Sequence, residues 1–123
     1  MKLTLASRSQ HLVRSYTEHS VQVGEQQLSA PSLVCAEQVL PWPMSDMTQL
    51  TKNDLPLIFE QQPEVVILST GARQHFPAPA IQAAFLARGI GFEVMTVGAA
   101  CRTFNVLLSE DRRAVLALWW PPQ

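Results

Sequence analysis

One short run of residues limits the fold of this chain more than any other feature. Residues 64–71 read EVVILSTG, with a continuous apolar stretch over 65–68 that is rich in β-branched side chains, and with Pro63 before it. Such a run, closed by a glycine, is typical of a strand that is buried on both faces. Strands of this kind occur in parallel sheets that are covered by helices on both sides. We therefore predict that residues 64–71 form the central strand of an α/β domain.

The segments around this strand show helical or strand-like spacing of their apolar residues. Helices are predicted over about 52–61, 81–89 and 100–110, and strands over 92–97 and 114–119, with Gly98 as a break between strand and helix. Because strand, helix and strand follow each other through short connections, we expect right-handed crossovers and a parallel or mixed sheet. Residues 64–71 and 92–97 should then be parallel neighbours.

The amino-terminal part of the chain has a different pattern. Apolar and polar residues alternate from Ser20 to Leu28 with turn chemistry at Gly24, and another apolar run covers 33–36, which predicts a β-meander or hairpin pair. Residues 1–14 carry basic side chains, no acid and no clear period, as in a poorly ordered terminus. The predicted fold class is α/β, as a single domain over residues 1–123. It has three layers, with a mixed central sheet flanked by helices and an N-terminal β-meander.

Composition and charge exclude several function classes. With 47% apolar and 15% charged residues, the chain of 123 residues can bury a core. Its net charge of −1 lacks the basic footprint of a nucleic-acid-binding protein. The longest apolar run, Ala114–Trp120, is far shorter than the roughly 18 residues that a membrane span needs. The first residues lack the hydrophobic region of an export signal, so a cytoplasmic protein is the expectation.

The cysteines indicate neither a metal site nor a disulfide framework. Cys35 and Cys101 lie far apart and form no Cys-x-x-Cys pair. Cys101 falls in the first turn of the last predicted helix, where amide dipoles and Arg102 would favour a thiolate, with His75 as the candidate base. A cysteine next to small residues is nevertheless more often a packing residue. We therefore predict no catalytic residue, no metal and no cofactor.

A candidate ligand site lies where the parallel strands end. Ligands of open α/β sheets collect outside the carboxyl ends of the strands, where the following helices point their amino termini. Glycines in these turns let backbone amides approach an anion, and arginines supply a bidentate contact. The residues of this predicted anion crevice are Ser69, Thr70, Gly71, Arg73, Gly98, Arg102 and Asn105. The alternative, which the absence of a phosphate-binding glycine motif favours, is that the glycines are ordinary turn residues and the arginines are solvated.

Two adjacent tryptophans, Trp119 and Trp120, close the last predicted strand. Consecutive strand residues face opposite sides, so both indoles are buried only if the strand is covered on both faces. An exposed tryptophan there would anchor a partner, whereas a buried one would cap the core.

Residues 93–115 carry a more specific pattern. They contain Glu93-Val94-Met95-Thr96, then AACRTFNVL over 99–107, then Glu110 and Arg112. This pattern resembles a small single-domain family of unassigned biochemical activity. Its eukaryotic members include a mitochondrial respiratory complex I assembly factor and the adipogenesis-associated Mth domain-containing protein. The resemblance also takes in residues 64–71 and Pro41-Trp42, and it covers about residues 11–119.

The resemblance implies a three-layer α/β fold and a role in assembly or protein contact. Ser69, Thr96 and Phe104 depart from the family, which has glycine, aspartate and tyrosine there, and the last two changes remove polar groups that an active site would use. The leading hypothesis is a non-catalytic cytoplasmic interaction or assembly-type domain with an unidentified protein partner, and a homo-oligomer is left open. The alternative is a binder of, or an enzyme acting on, a small anionic metabolite at the crevice near Gly71, Gly98 and Arg102.

Overall fold

Strands dominate residues 12–41, and helices and strands alternate in the described residues that follow. The structure is a computed structural model that describes residues 12–44, 46 and 49–121. Its strands are β1 (Val13–Tyr16), β2 (Val21–Val23), β3 (Gln26–Leu28), β4 (Ser32–Val34), β5 (Val39–Pro41), β6 (Val65–Ser69), β7 (Gly91–Met95) and β8 (Ala114–Leu118). Its helices are a 3-10 turn (Lys52–Asp54), α1 (Pro56–Glu60), α2 (Pro79–Leu86) and α3 (Val97–Ser109).

A five-stranded mixed sheet in the order β5-β4-β8-β6-β7 lies at the centre. β6 runs parallel to both of its neighbours, in the register Val65↔Gly91 on one side and Val65↔Ala114 on the other. β4 runs antiparallel to β8 and β5, which makes the sheet mixed. The predicted fold class, the strand at 64–71 and its parallel partner at 92–97 are thereby confirmed.

Each face of the sheet has its own core. On one face Val66 and Leu68 of β6 pack with Phe85 of α2 and with α1. On the other face Ile67 packs with Phe104 of α3 and with the meander residue Val21. Because alternate residues of a strand point to opposite sides, a strand buried on both faces must be apolar throughout. This requirement explains the apolar run Val65–Leu68 of β6.

A separate three-stranded antiparallel sheet, β1-β2-β3, packs against α3. Gly24, with a φ of +56°, turns the chain between β2 and β3 as predicted. The apolar run at 33–36 belongs to a second hairpin, in which β4 pairs with β5, and β4 also pairs with β8 in the main sheet. Val13 and Arg14 belong to β1, while residues 1–11 lie outside the described part.

Two helix boundaries differ from the prediction. Residues 52–61 divide into the 3-10 turn, which the capping box of Thr51 and Asp54 begins, and the short helix α1, which starts at Pro56. The last helix begins at Val97. Gly98 therefore lies inside the first turn of α3 and does not break the chain between strand and helix. Helix ends depend on tertiary contacts as well as on local propensity. A prediction based on the glycine alone therefore placed the start of this helix too late.

Candidate functional site

The turns that follow β6 and β7 meet at the carboxyl edge of the sheet, as predicted. The amide of Val97 donates a hydrogen bond to the carbonyl of Gly71 (2.8 Å), and the amide of Thr70 donates to the carbonyl of Met95 (3.0 Å). The first bond joins the turn after β6 to the start of α3, and the second joins it to the end of β7. The predicted residues of both turns are thus brought to one edge.

Thr70 closes the loop after β6. Its side chain is fully buried, and its Oγ1 donates to the carbonyl of Arg73 (2.6 Å) and accepts from the amide of His75 (3.1 Å). The side chain of Arg73 itself is exposed in this loop. The Thr70 hydroxyl therefore stabilises the loop. Because it is engaged in these bonds, it is not available to contact a ligand.

Gly71 is covered by Trp120 and Pro121, which are called the tail below. Its φ of +82° is left-handed, and a Cβ there would lie 3.2 Å from Cδ of Pro121 and 3.4 Å from Cδ1 of Trp120. Only glycine accepts this backbone conformation at no steric cost. The tail thus occupies the space in which a ligand would approach the turn.

Tyr16 of the meander lies over the amino-terminal turn of α3. A Cβ on Gly98 would come within 3.0 to 3.1 Å of the Tyr16 ring and hydroxyl. The Tyr16 hydroxyl also accepts a 2.7 Å hydrogen bond from Nη1 of Arg102. Gly98 therefore provides room for the ring, and Arg102, the predicted anion contact, binds a neighbouring part of its own chain.

Asn105 makes the same kind of connection one turn further along α3. Its Oδ1 accepts from the amide of Val13 (2.8 Å), and its Nδ2 donates to the carbonyl of Val13 (2.9 Å). One side-chain amide thus satisfies both polar groups of a β1 residue, as a neighbouring strand would. Both connections join positions 86 and 92 residues apart in the chain, so no local sequence pattern could indicate them.

Three buried polar atoms have no hydrogen-bond partner in the part of the chain that the structure describes. They are Oγ of Ser69 and Nε1 of Trp119 and of Trp120. Ser69 is fully buried at the end of β6, on the α3 face of the sheet, because it lies two residues after Ile67. Trp120 belongs to the same face and Trp119 to the opposite one. Both faces are covered, so Trp119 is buried and Trp120 is half-buried.

Neither cysteine has the properties of a nucleophile. Burial raises the pKa of Cys101 to about 12, although the charge of Arg102 acts in the opposite direction. Burial likewise raises the pKa of Cys35 to about 11. Cys101 lies in the core on the α3 face, as a packing residue would. Both groups are therefore neutral thiols near neutral pH.

The opposite, amino-terminal end of β6 carries exposed ion pairs and a cavity. Glu64 binds Nε of Arg112 (3.1 Å), accepts from the backbone amide of Arg113 (3.2 Å) and lies 3.7 Å from the Arg113 guanidinium. These contacts hold the pKa of the Glu64 carboxyl below its usual value, mainly through the backbone hydrogen bond. A cavity of about 190 Å³ nearby is lined by residues that include Cys35 and Gln61.

A groove along β7 was missed from the sequence. It has a volume of about 170 Å³ and runs between β7, the start of α2 and the loop that contains Gln74 and Phe76. Phe76 is 69% exposed, which is unusual for so large an apolar side chain. An aromatic residue next to prolines in a loop, without helical or strand periodicity, was the signal that could have drawn attention to it.

Neither a metal-binding cluster nor a membrane-spanning helix is found among the described residues. No group of three or more His, Cys, Asp and Glu side chains among them could hold a metal ion. None of the helices in these segments has the length and the apolar character needed to cross a membrane.

A protein-family model matches nearly the whole chain. Residues 13–119 match a family described as "Protein of unknown function (DUF498/DUF598)". The chain belongs to this family. This match confirms the resemblance seen in residues 93–115. The relatives of the chain include a complex I assembly factor, as that resemblance indicated.

Three relatives illustrate the range of the family. The NADH dehydrogenase [ubiquinone] 1 alpha subcomplex assembly factor 3 of Danio rerio is 32% identical over 113 residues, which are 90% of this chain and 65% of that protein. The 13 kDa major membrane protein of Francisella tularensis is 31% identical over 84 residues, 67% of this chain and 68% of that one. The NMR structure of a Xanthomonas campestris protein, 38% identical, superposes with a TM-score of 0.81 and covers 86% of this chain and 81% of that one. The chain thus spans slightly less than two thirds of the Danio rerio protein.

Proposed function

We propose that this chain is a non-catalytic protein-interaction domain of the assembly type. The observation that carries the proposal is the use of polar side chains at the carboxyl edge of the sheet. α/β enzymes place their reactive groups at this edge. Here Arg102 and Asn105 bind β1, and Thr70 binds its own loop. Their polar groups hold the domain together.

The thiols support the same proposal. A cysteine nucleophile needs a lowered pKa, whereas burial raises the pKa of both cysteines. The Danio rerio relative, a complex I assembly factor by name, supports the same proposal.

The test is purification of the tagged chain together with its bound proteins, followed by reconstitution from purified components. We expect one protein to copurify in stoichiometric amount and to bind again when both components are pure. In parallel, phosphate, sulfate and nucleotides should leave the midpoint of thermal unfolding unchanged. Turnover of a small molecule, or an anion-dependent rise of the midpoint without any reconstituted protein partner, would contradict the proposal.

A second candidate is weak binding of a small anionic metabolite at the crevice near Gly71, Gly98 and Arg102. The observation that favours it is the fully buried Ser69 hydroxyl, which has no partner and lies on the same face as the amino terminus of α3. The Nε1 donor of Trp120, also without a partner, belongs to that face. Buried donors without partners are rare, so a bound acceptor would explain them.

The two candidates are separated by Arg102→Ala and Ser69→Ala. If the crevice binds an anion, phosphate, sulfate or a nucleotide raises the thermal midpoint of the parent, and both variants lose that response. If Arg102 only joins α3 to Tyr16, its replacement lowers the midpoint by the same amount with and without the anion. An equal response of parent and variants to every anion would rule out the crevice.

A further inference from the structure

The two edges of the main sheet are protected to different degrees. β5, at one edge, is three residues long and ends in Pro41, which has no N–H. β7, at the other edge, has five residues and no proline. Within the part of the chain that the structure describes, its one neighbour in the sheet is β6. Natural proteins usually shorten an exposed edge or block it with proline, so the β7 edge is the less protected one.

The outward polar groups of β7 belong to Phe92 and Val94. The amide of Gly91 donates to the carbonyl of Glu64, and Met95 accepts from the amide of Thr70, both at 3.0 Å. In a parallel ladder every second residue bonds to the same neighbour, so residues 91, 93 and 95 bond to β6. The N–H and C=O groups of Phe92 and Val94 therefore point away from the sheet.

One of these outward groups is bound by a side chain of the preceding loop. Nε2 of Gln74 donates a 2.7 Å hydrogen bond to the carbonyl of Val94. The amide of this exposed side chain stands where the backbone N–H of an added strand would stand. An incoming strand can replace this bond by moving one flexible side chain.

The α2 side of the edge carries apolar side chains next to polar ones such as Gln82. Phe92 and Val94 are half-buried on this side, and the Phe92 ring stacks on Phe85 at 4.6 Å. Phe76 borders the groove beside them, and Leu86, one helical turn after the groove residue Gln82, is 68% exposed. An added strand would cover these apolar side chains with its own residues on the same side.

The other side of the edge carries a negative charge. Glu93 points to the face opposite Phe92 and Val94, and it is exposed. A second copy of this chain, paired antiparallel through the same outward groups, would place the two Glu93 carboxylates opposite each other. Like charges in directly opposed positions are destabilising. The charge therefore disfavours a second copy and favours a strand with a basic residue at that position.

We propose that the β7 edge binds an extended segment of another protein as a sixth strand of the sheet. The segment has apolar residues opposite Phe92 and Val94, and a lysine or arginine between them opposite Glu93. Backbone hydrogen bonds supply the affinity, and the alternating side chains supply the selectivity. This inference rests on the proposed interaction function and assigns a surface to it.

The first test uses synthetic peptides as probes, an acetylated and amidated Thr-Val-Lys-Val-Thr and its Thr-Val-Glu-Val-Thr counterpart. We expect the lysine peptide to bind about three- to tenfold more tightly than the glutamate peptide, and Glu93→Lys to reverse this order. Amide NMR shifts should be largest at Phe92, Val94 and the side chain of Gln74. Equal binding of the two peptides, absence of binding at millimolar concentration, or shifts centred elsewhere would overturn the proposal.

The second test uses Val94→Pro with the reconstituted partner protein. This substitution removes an outward N–H and leaves the hydrogen bonds to β6 in place, so we expect at least about a tenfold loss of partner affinity. Glu93→Lys provides a second variant if the proline variant does not fold. Unchanged partner binding by a folded Val94→Pro and by Glu93→Lys would place the contact elsewhere and refute this surface, while the interaction function itself would stand. If no partner protein binds the chain at all, both the β7 surface and the interaction function are refuted.

Discussion

The two ends of β6 use their polar groups in different ways. At the carboxyl end, side chains of α3 and residues of the tail bind or cover distant parts of the chain, and the bonds of Asn105 and the turn at Gly71 are wholly or partly buried. At the amino end, Glu64 pairs with Arg112 and Arg113 on an exposed surface. Interactions that are shielded from solvent contribute far more to stability than exposed ion pairs. Substitutions at the carboxyl end should therefore lower the free energy of unfolding strongly, and substitutions at the amino end should change it little.

The largest effect is expected in the alkylation rates of the two cysteines, Cys35 near the amino end of β6 and Cys101 near its carboxyl end. Because burial raises the pKa of Cys35 to about 11 and of Cys101 to about 12, iodoacetamide at pH 7.5 should alkylate both on the order of a hundredfold or more slowly than a free cysteine. Cys35 is half-buried beside the cavity, so it should react before the buried Cys101. Mass spectrometry of folded and urea-unfolded protein measures both rates. Selective labelling of Cys101 near pH 6 would contradict this prediction and the non-catalytic proposal.

Gly71 offers the strongest test of the closed carboxyl end through stability. Gly71→Ala should lower the free energy of unfolding by about 3 kcal/mol, because it combines a left-handed backbone with overpacking against Pro121. Gly89→Ala is the matched control, since Gly89 has a φ of +70° but no atom within 4 Å of the added Cβ. It should cost only about 1 kcal/mol. Urea denaturation measures both values, and equal losses would mean that the tail does not pack on Gly71.

Asn105 tests the junction between α3 and the meander. Asn105→Ala removes both hydrogen bonds to Val13 and should lower the free energy of unfolding by about 2 kcal/mol. Hydrogen exchange of the Val13 amide should become faster in the same variant. Ser109→Ala, which removes one exposed local bond on the same helix, should change stability by less than about 0.5 kcal/mol. Similar effects of the two variants would show that the junction contributes little.

The smallest effect is expected at the amino end and depends on pH. The folded-state pKa of Glu64 lies below its ordinary value of 4.5, mainly because of the backbone hydrogen bond from Arg113 and then because of the contacts with Arg112 and Arg113. These interactions therefore stabilise the fold above that pH and lose their effect as the pH falls through the lower, folded value. The midpoint of thermal unfolding of the parent should therefore fall more between pH 7 and pH 3 than that of Glu64→Gln. The difference should be small, because the pairs are exposed. Parallel curves for the two proteins would show that these pairs make no contribution.

The position of the sheet was predictable, and the use of its carboxyl edge was not. The run at 64–71 must be apolar on both sides to lie between two layers, so its place in the fold follows from composition and period alone. The same reasoning brought Gly71 and Gly98 to one edge. It left open whether Arg102 and Asn105 face a ligand or another part of the chain, because helical spacing specifies which face they share and not what covers that face.

By itself, the sequence determined the strand and helix pattern, the parallel pair around β6 and, through residues 93–115, the family. Only the tertiary structure decided that Tyr16 and β1 cover the start of α3 and that the tail covers Gly71. Periodicity acts over a few residues, whereas these contacts join positions up to 92 residues apart. Their partners are selected by packing and by the need of buried polar groups for hydrogen bonds, and both become defined only when the layers come together.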